Sequence, residues 1–448
     1  MEKYDVVILG GGNAGMGVTV ATRAAGLSVA MIETHDLGGT CPNRGCTPKK
    51  VLVAAAHALH EIERADRHGI AIDKPRLDWP ALIEREKDII RDIPSRLSGL
   101  MARRGVDIIV GEATFIGSNA ISVNGRELEA RNIVIATGSK PRPLPIPGAD
   151  HMTISDDVLS DPVLPSAVVF VGGGVIAFEL GHVYARAGVK VTILEALPHL
   201  LATFDADAVA RIRDESERIG ICVRTLAWVR RIDKADGRLR VTFVADCAEC
   251  VVEADRVVNC TGRLANVEGL DLGAGVIVHR EGRIEIDDHL RSRSNPDVYV
   301  CGDAVWNSPQ LSPVATYEGG IVGRNIVDGA KHRPDYGQIP ACLYTVPALA
   351  SVGLTEVKAK EQGLAVKIHV NDMQGWLSAR TYVETVAWSK IIVEETTDRI
   401  IGAHIVGHAG EELIHIFALA MKHSITASQL SETVYGFPTF ASDIRNMM

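Results

Sequence analysis

Aromatic residues are scarce in this chain, with Phe, Trp and Tyr together at 5% of 448 residues, and a positive charge excess is missing, the formal net charge being −9. The first shortage argues against a base-stacking surface and the second against a polyanionic partner, so nucleic acid is not an expected ligand. No apolar run reaches the roughly eighteen residues that a membrane helix needs. The opening Met1-Glu-Lys-Tyr-Asp enters a strand pattern at once and leaves no room for a signal peptide, so a cytoplasmic protein is expected. In that compartment eight cysteines should stay reduced unless a pair has a redox task. Low-complexity segments and charge blocks are also missing. What remains is ordinary globular composition, 46% hydrophobic and 23% charged, in a chain long enough for two to four domains.

The chain contains an internal repeat. Residues 4–33, YDVVILGGGNAGMGVTVATRAAGLSVAMIE, and residues 166–195, SAVVFVGGGVIAFELGHVYARAGVKVTILE, each read as strand, glycine turn, helix and a second strand closing on Glu. The same interval separates Gly10 from Glu33 and Gly172 from Glu195. Gly10-x-Gly12-x-x-Gly15 opens a helix directly after a strand, where the glycines admit a pyrophosphate to the backbone and to the helix N-terminus. Glu33 is placed to accept ribose hydroxyls. The second copy, Gly172-x-Gly174-x-x-Ala177 with Glu195, predicts a second nucleotide site. A carboxylate at Glu195, with no Arg in the following Ala196-Leu-Pro-His199, favours a free 2′-hydroxyl and hence NADH over NADPH.

Between the repeats, residues 43–70 and 80–104 read as helices and 107–135 as short strands ending at IVIATGS. The Pro-rich stretch 140–149 reads as a crossing between domains. Strand-rich segments end at VVNCTGR (257–263) and DVYVCGDA (297–304). From about Pro334 strands at 350–354, 366–370, 387–394 and 400–406 precede a helix from Glu411 to His423. The expected organisation is an α/β protein with two Rossmann-like nucleotide-binding domains plus a C-terminal α+β domain. Its predicted segments are 1–148 and 266–334 for the first nucleotide, 149–265 for the second and 335–448 for the last domain.

Chemistry is concentrated in Gly38-Gly-Thr-Cys41-Pro-Asn-Arg-Gly-Cys46-Thr-Pro-Lys49-Lys50. A thiolate at the start of a helix is stabilised by unpaired backbone N–H groups and the helix dipole. The spacing allows a disulfide; it is a poor match to half a zinc site, which would need two more ligands. Cys247 and Cys250 are placed at a hairpin tip without a second ligand pair. Cys222, Cys260, Cys301 and Cys342 lie in apolar strand contexts and are expected to pack. His404, His408, His415 and His423 fall in or before the last helix, and the last three do not make an HExxH-like set. A structural or surface role is expected for them, and no metal site.

The segments GGTC-x4-GC-x-PKK, IVIATGS, CTGRLAN, VYVCGDA and TVPALASVGLTE, with two nucleotide motifs in this order, resemble the glutathione reductase/lipoamide dehydrogenase family over nearly the whole chain. The resemblance implies FAD at the first motif, NAD(P)H at the second, and a homodimer built through the C-terminal domain. It implies that Cys46 contacts the flavin while Cys41 exchanges with substrate, and that Lys49 or Lys50 pairs with Glu179 beside the isoalloxazine. Asp303 with Gly302, Thr40, Thr137, Gly138, Gly262 and Arg263 are implied around the nucleotides.

One departure stands out. Disulfide-reducing members end with His-Pro-Thr-x-x-Glu, where the His acts as acid–base for the exchange thiol. Here the segment is Tyr435-Gly-Phe437-Pro-Thr439-Phe-Ala-Ser442, with Phe437 at the His and Ser442 at the Glu. Phe437 cannot carry a proton, and an apolar ring beside the pair is expected to raise thiol pKa values. Mercuric reductases place Tyr there but add a C-terminal cysteine pair, whereas this chain ends Arg-Asn-Met-Met. The carboxylating 2-ketopropyl-coenzyme M oxidoreductase is similar in having Phe, but has His where Ser442 stands. The expected activity is electron transfer from NAD(P)H through FAD and Cys41–Cys46 to a small disulfide, oxidant or metal ion. C–S cleavage with carbanion trapping and a non-catalytic redox-sensing flavoprotein are the alternatives.

Overall fold

Val6, Val7, Ile8 and Leu9 are apolar in succession, a pattern suited to a strand covered on both faces rather than one. In the computed structural model, which describes residues 1–73 and 75–448, all four are at most 1% exposed and sit at the centre of a parallel sheet. Glu2–Leu9 pairs in parallel with Val29–Glu33 on one side and Arg126–Ile135 on the other; Val106–Val110 and Val298–Val300 extend the parallel part. Ala113–Gly117 and Ala120–Val123 add an antiparallel hairpin at one edge. This sheet belongs to a unit formed by residues 1–49, 83–142 and 262–335.

Within that unit the helix Asn13–Ala24 meets the helix Ser312–Asp328 backbone to backbone. Glycine makes the approach possible. A Cβ on Gly319 would lie 2.1 Å from the Ala14 carbonyl oxygen, one on Gly17 2.6 Å from that of Thr316, and one on Gly323 2.7 Å from that of Val18. Backbone atoms cannot step aside as a flexible side chain can, so small residues are obligatory along this seam.

The second unit comprises residues 50–82, 143–261 and 336–448. Residues 50–82, read from sequence with the first nucleotide domain, group here instead. A four-stranded parallel sheet runs in the order Cys222–Arg224, Lys190–Leu194, Ala167–Val171, Arg256–Asn259, and a three-stranded antiparallel sheet of Trp228–Ala235, Arg238–Ala245 and Ala248–Ala254 is inserted in the chain before the last of these strands. The last region is an antiparallel sheet in the order Ala341–Leu343, Ala348–Gly353, Arg399–Gly407, Trp388–Glu394, Val366–Asp372. The helix Gly410–Lys422 covers it. Leu413, Ile414, Phe417 and Ala420 recur at three- and four-residue steps, and all are buried. Truncating Phe417 to Ala would cost about 3–5 kcal/mol. The buried ammonium of Lys390 in this sheet is met by Asp205 at 2.9 Å, Asp207 at 2.5 Å and Glu356 at 2.9 Å.

The segment expected as one helix over 43–70 is broken into Thr40–Arg44, Cys46–Glu63 and a 3₁₀ turn at Ala65–His68. Gly45 makes the first break, with φ −145° and ψ −112°, outside the helical region. The stretch at 80–104 likewise divides into Trp79–Ile90 and Ile93–Arg103, where Pro94 starts a new helix rather than continuing the old one.

Candidate functional site

The two glycine turns are the same structure built twice. Gly10 has φ +110°, and a Cβ there would lie 2.3 Å from the Ala136 carbonyl oxygen; Gly172 has φ +111°, and its Cβ would lie 2.2 Å from that of Cys260. The Gly10 N–H donates to Ile32 and the Gly172 N–H to Leu194, both at 2.8 Å. Each turn leads into a helix N-terminus, with Gly12 and Gly174 in extended conformation as N-caps without side chains. Each terminal Glu is pinned by two backbone donors. Glu33 accepts from Gly11 (2.7 Å) and His35 (2.9 Å), and Glu195 from Gly173 (2.5 Å) and Leu197 (2.7 Å). Charge-assisted bonds of this kind fix a carboxylate's orientation in advance of any ribose. The copies differ at the third position. A Cβ on Gly15 would lie 2.0 Å from the Gly10 carbonyl oxygen, whereas Ala177 carries one and is fully buried.

The surroundings of the first turn fit a flavin dinucleotide. The Thr137 hydroxyl is buried with no protein partner, as a group awaiting a ligand would be. Gly138, at φ +71°, continues this turn. Asp303 accepts from the Ser139 hydroxyl at 2.9 Å, while Arg263 donates to that hydroxyl at 2.8 Å and to the Ser139 carbonyl at 2.7 Å. Burial pushes the Asp303 carboxyl up, against the Ser139 hydrogen bond and the Arg263 charge that hold it down. Gly302 (φ +71°) donates its N–H at 2.7 Å to Glu318, which also takes the Ser308 hydroxyl at 2.5 Å. Glu318 is fully buried and holds the Gly302–Asp303 turn in place, a role that sequence reasoning missed. Gly262, at φ +109°, accepts the Arg142 N–H at 2.9 Å.

The cysteine segment is tied to the first glycine turn. Gly38 donates its N–H to the Gly11 carbonyl at 2.9 Å, and the Asn43 amide donates to the carbonyls of Leu37 (3.0 Å) and Gly39 (3.1 Å). Thr40 is exposed at the start of the short helix. At Gly45 the chain doubles back so closely that a Cβ would lie 2.9 Å from the Thr40 carbonyl oxygen and 3.3 Å from Cα of Cys41. This return brings Cys46, the first residue of an eighteen-residue helix, into hydrogen bonding with Cys41.

Cys41 is the electrostatically distinctive group. Its thiol is brought down to about 6, first by the Cys46 side chain and then by the side chains of Ser312 and Asn13 and the backbone of Cys46, against burial that raises it. Asn13 and Ser312 were not picked out from the sequence. Each is the first residue of one of the two helices that meet through Gly17, Gly319 and Gly323, and the Asn13 amide donates to the Ser312 hydroxyl. Close packing of the helices therefore sets both donors at the same thiol.

Other expected residues find local partners. The Lys50 ammonium lies 4.0 Å from Glu411 and 3.9 Å from the centre of the Tyr344 ring, and buried Glu179 accepts the Tyr344 N–H at 2.8 Å. Phe437 is 76% exposed. The Ser442 hydroxyl donates to the Thr439 carbonyl at 2.6 Å, and the Tyr435 hydroxyl, raised by burial, donates to Leu430 at 3.1 Å. Neither is positioned as a free proton carrier. Cys247 occupies the hairpin turn at φ +62°, and Cys250 lies on the following strand opposite Phe243. Cys301 is buried as expected of a packing residue, but Cys222 is exposed on an edge strand. His404 is buried between Ser351 and the Leu354 carbonyl. His408, expected to be structural or superficial, lies beside His57 and Glu61.

Two nucleotide turns and a paired-cysteine helix define a flavin- and nicotinamide-dependent dithiol oxidoreductase. Residues 4–319 match the pyridine nucleotide-disulphide oxidoreductase family and residues 339–448 its dimerisation domain, so the chain belongs to that family of FAD-dependent enzymes. It is 33% identical to a dihydrolipoyl dehydrogenase of Chlamydia muridarum, covering 98% of this chain and 95% of the relative. It is 31% identical to a mercuric reductase of Bacillus cereus, covering 99% of this chain and 70% of the relative. Among solved structures, the Cu(II) complex of the HOCl-induced flavoprotein disulfide reductase RclA from Escherichia coli superposes with a TM-score of 0.89. The two are 26% identical, over 100% of this chain and 99% of that one. No described helix is long and apolar enough to cross a membrane.

Proposed function

We propose that this enzyme prefers NADH and passes electrons through Cys41 and Cys46 to an acceptor that needs no proton from the protein, a metal ion or small oxidant ahead of an ordinary alkyl disulfide. The observation that carries this reading is the pairing of a Cys41 thiol brought down to about 6 with a C-terminal segment offering only Phe437 and Ser442. A base is unnecessary for a thiol held well below its ordinary value, which favours the thiolate at neutral pH. An acid to protonate a leaving alkyl thiolate is what the segment lacks.

FAD, when bound, supplies hydride acceptance from the nicotinamide and two-electron delivery to the disulfide. Gly10, Gly12, Gly15, Glu33, Thr137, Gly138 and Asp303 would hold it, with Thr40, Gly262, Arg263 and Gly302 around it. Gly172, Gly174 and Glu195 would hold the nicotinamide nucleotide. Lys49 or Lys50, with Glu179, is assigned the role beside the flavin. Cys46 is assigned to the flavin side and Cys41 to the exchange side. In the oxidative step the Cys41 thiolate and the Cys46 thiol re-form the S–S bond. Two electrons leave, one to each of two metal ions, and the single proton of Cys46 passes to water. The mercuric reductase and the Cu(II)-bound reductase among the relatives point the same way. A working dithiol also suits a reducing cytoplasm.

The test is NADH oxidation by the holoenzyme under anaerobic conditions with Cu(II), Hg(II), glutathione disulfide and lipoamide supplied in turn. Turnover with a metal ion should exceed that with either disulfide by at least about tenfold, given that general acid help is worth about a hundred- to ten-thousandfold. Faster turnover of glutathione disulfide would overturn the reading.

A further inference from the structure

His57 and Glu61 stand one turn apart on the helix Cys46–Glu63, so their side chains share one face. The His57 Nδ1 lies 4.0 Å from Glu61 Oε1, and the rings of His57 and His408 lie 6.2 Å apart at 65°. One donor atom from each of His57, Glu61 and His408 lies within 4.8 Å of the others. We propose that these three residues form a divalent transition-metal site for Cu(II) or Zn(II), sharing no residue with the Cys41–Cys46 pair.

Two imidazoles and a carboxylate are the donor set that suits these ions, and three protein ligands leave a coordination position for water. Ligand atoms about 2.0–2.2 Å from an ion stand closer together than 4.8 Å. The exposed His57 can close that gap by a rotamer change. His408, by contrast, is already oriented. Its ring stacks on Phe440 at 4.5 Å and 17° and lies 5.1 Å from Tyr382. Its Nδ1 sits 3.2 Å from the buried carboxylate of Glu384. A carboxylate accepting from Nδ1–H leaves the lone pair on Nε2, the outer arrangement usual behind a metal-bound histidine. Arg64 also enters the cluster, 2.5 Å from Glu61 Oε1 and 3.2 Å from Glu384. Its charge is answered by those two carboxylates and by the carbonyls of Tyr382 and Val383. The site is composed of a helix and a turn far apart in sequence, which is why no short motif announces it.

The experiment titrates Cu(II) alone into the oxidised holoenzyme, where Cys41 and Cys46 are a disulfide, with Cys222, Cys247 and Cys250 changed to Ser to remove competing thiols. One equivalent should bind with an EPR spectrum showing coupling to two nitrogens, and Zn(II) should displace it. His57→Gln and His408→Gln should each remove one nitrogen and weaken binding by more than the ten- to hundredfold that loss of a mere supporting partner costs. His415→Gln should leave the spectrum intact. Should His408→Gln unfold, shown by its melting curve, His57→Gln and Glu61→Gln on the open helix face decide the matter. No stoichiometric binding by the parent, or a spectrum unchanged in His57→Gln and Glu61→Gln, overturns the proposal.

Discussion

Changing Ser312 to Ala removes a hydroxyl from the Cys41 sulfur while leaving the cysteine pair and its helix intact. Hydrogen bonds to a charged group are worth about 1.5–3 kcal/mol, and one pKa unit is about 1.4 kcal/mol. The Cys41 thiol, brought down to about 6 in the parent, should therefore rise by about one to two units. Asn13→Ala should produce a smaller rise and Cys46→Ala the largest, following the order in which the three side chains act on the sulfur. The assay is alkylation of Cys41 by iodoacetamide from about pH 5 to about pH 9 in the NADH-reduced holoenzyme, read from the modified peptide. Cys46→Ala, whose Cys41 is free without reduction, is treated directly. The inflection carries the result rather than the plateau, because a more basic thiolate is also intrinsically more nucleophilic. A parent profile turning near 8.5, the ordinary thiol value, or an inflection unmoved by Ser312→Ala, would refute the account of the site. The same depression ties stability to pH. The unfolded thiol holds its proton up to about pH 8.5 and the folded one only to about 6, so the stabilisation is full above the first value and lost as pH falls through the second.

Gly319→Ala should lower the melting temperature, since its Cβ would lie 2.1 Å from a backbone oxygen, and overpacking of this kind costs about 1–3 kcal/mol or more. Flavin content should fall with it; a normal melt would mean that the helix seam yields easily. Glu195→Arg should move preference from NADH toward NADPH, because a pinned carboxylate against a 2′-phosphate costs about one to three kcal/mol, about ten- to a hundredfold in affinity. A parent already faster with NADPH would contradict this. Phe437→His with Ser442→Glu should raise glutathione disulfide turnover and leave the rate of flavin reduction by NADH unchanged, in stopped-flow and steady-state measurements together. A parent as fast as the double variant would show that the proton comes from elsewhere.

Both glycine turns, their terminal Glu residues and the Cys41–Cys46 pair were legible in the sequence because each is local. A strand, a tight turn and a helix place Gly10 against Ile32 and Gly11 against Glu33 within one βαβ unit, and the same rules repeat at Gly172 and Gly173. The Gly45 break is hidden because the apolar helical run from Val51 onward extends a helical reading back over one residue outside the helical region. Residues that tune the site were not legible at all. Asn13 and Ser312 are 299 positions apart and converge only because Gly17, Gly319 and Gly323 let two helices touch backbone to backbone. Glu318 reads as one more helical Glu until its helix turns it beneath Gly302. His408 reads as surface until the fold brings His57 and Glu61 beside it. Sequence by itself determined the chemistry that short backbone segments impose. The tertiary structure decided the electrostatics of Cys41 and the grouping of distant ligands, because hydrogen bonds and packing act over a few ångströms of space whatever the separation along the chain.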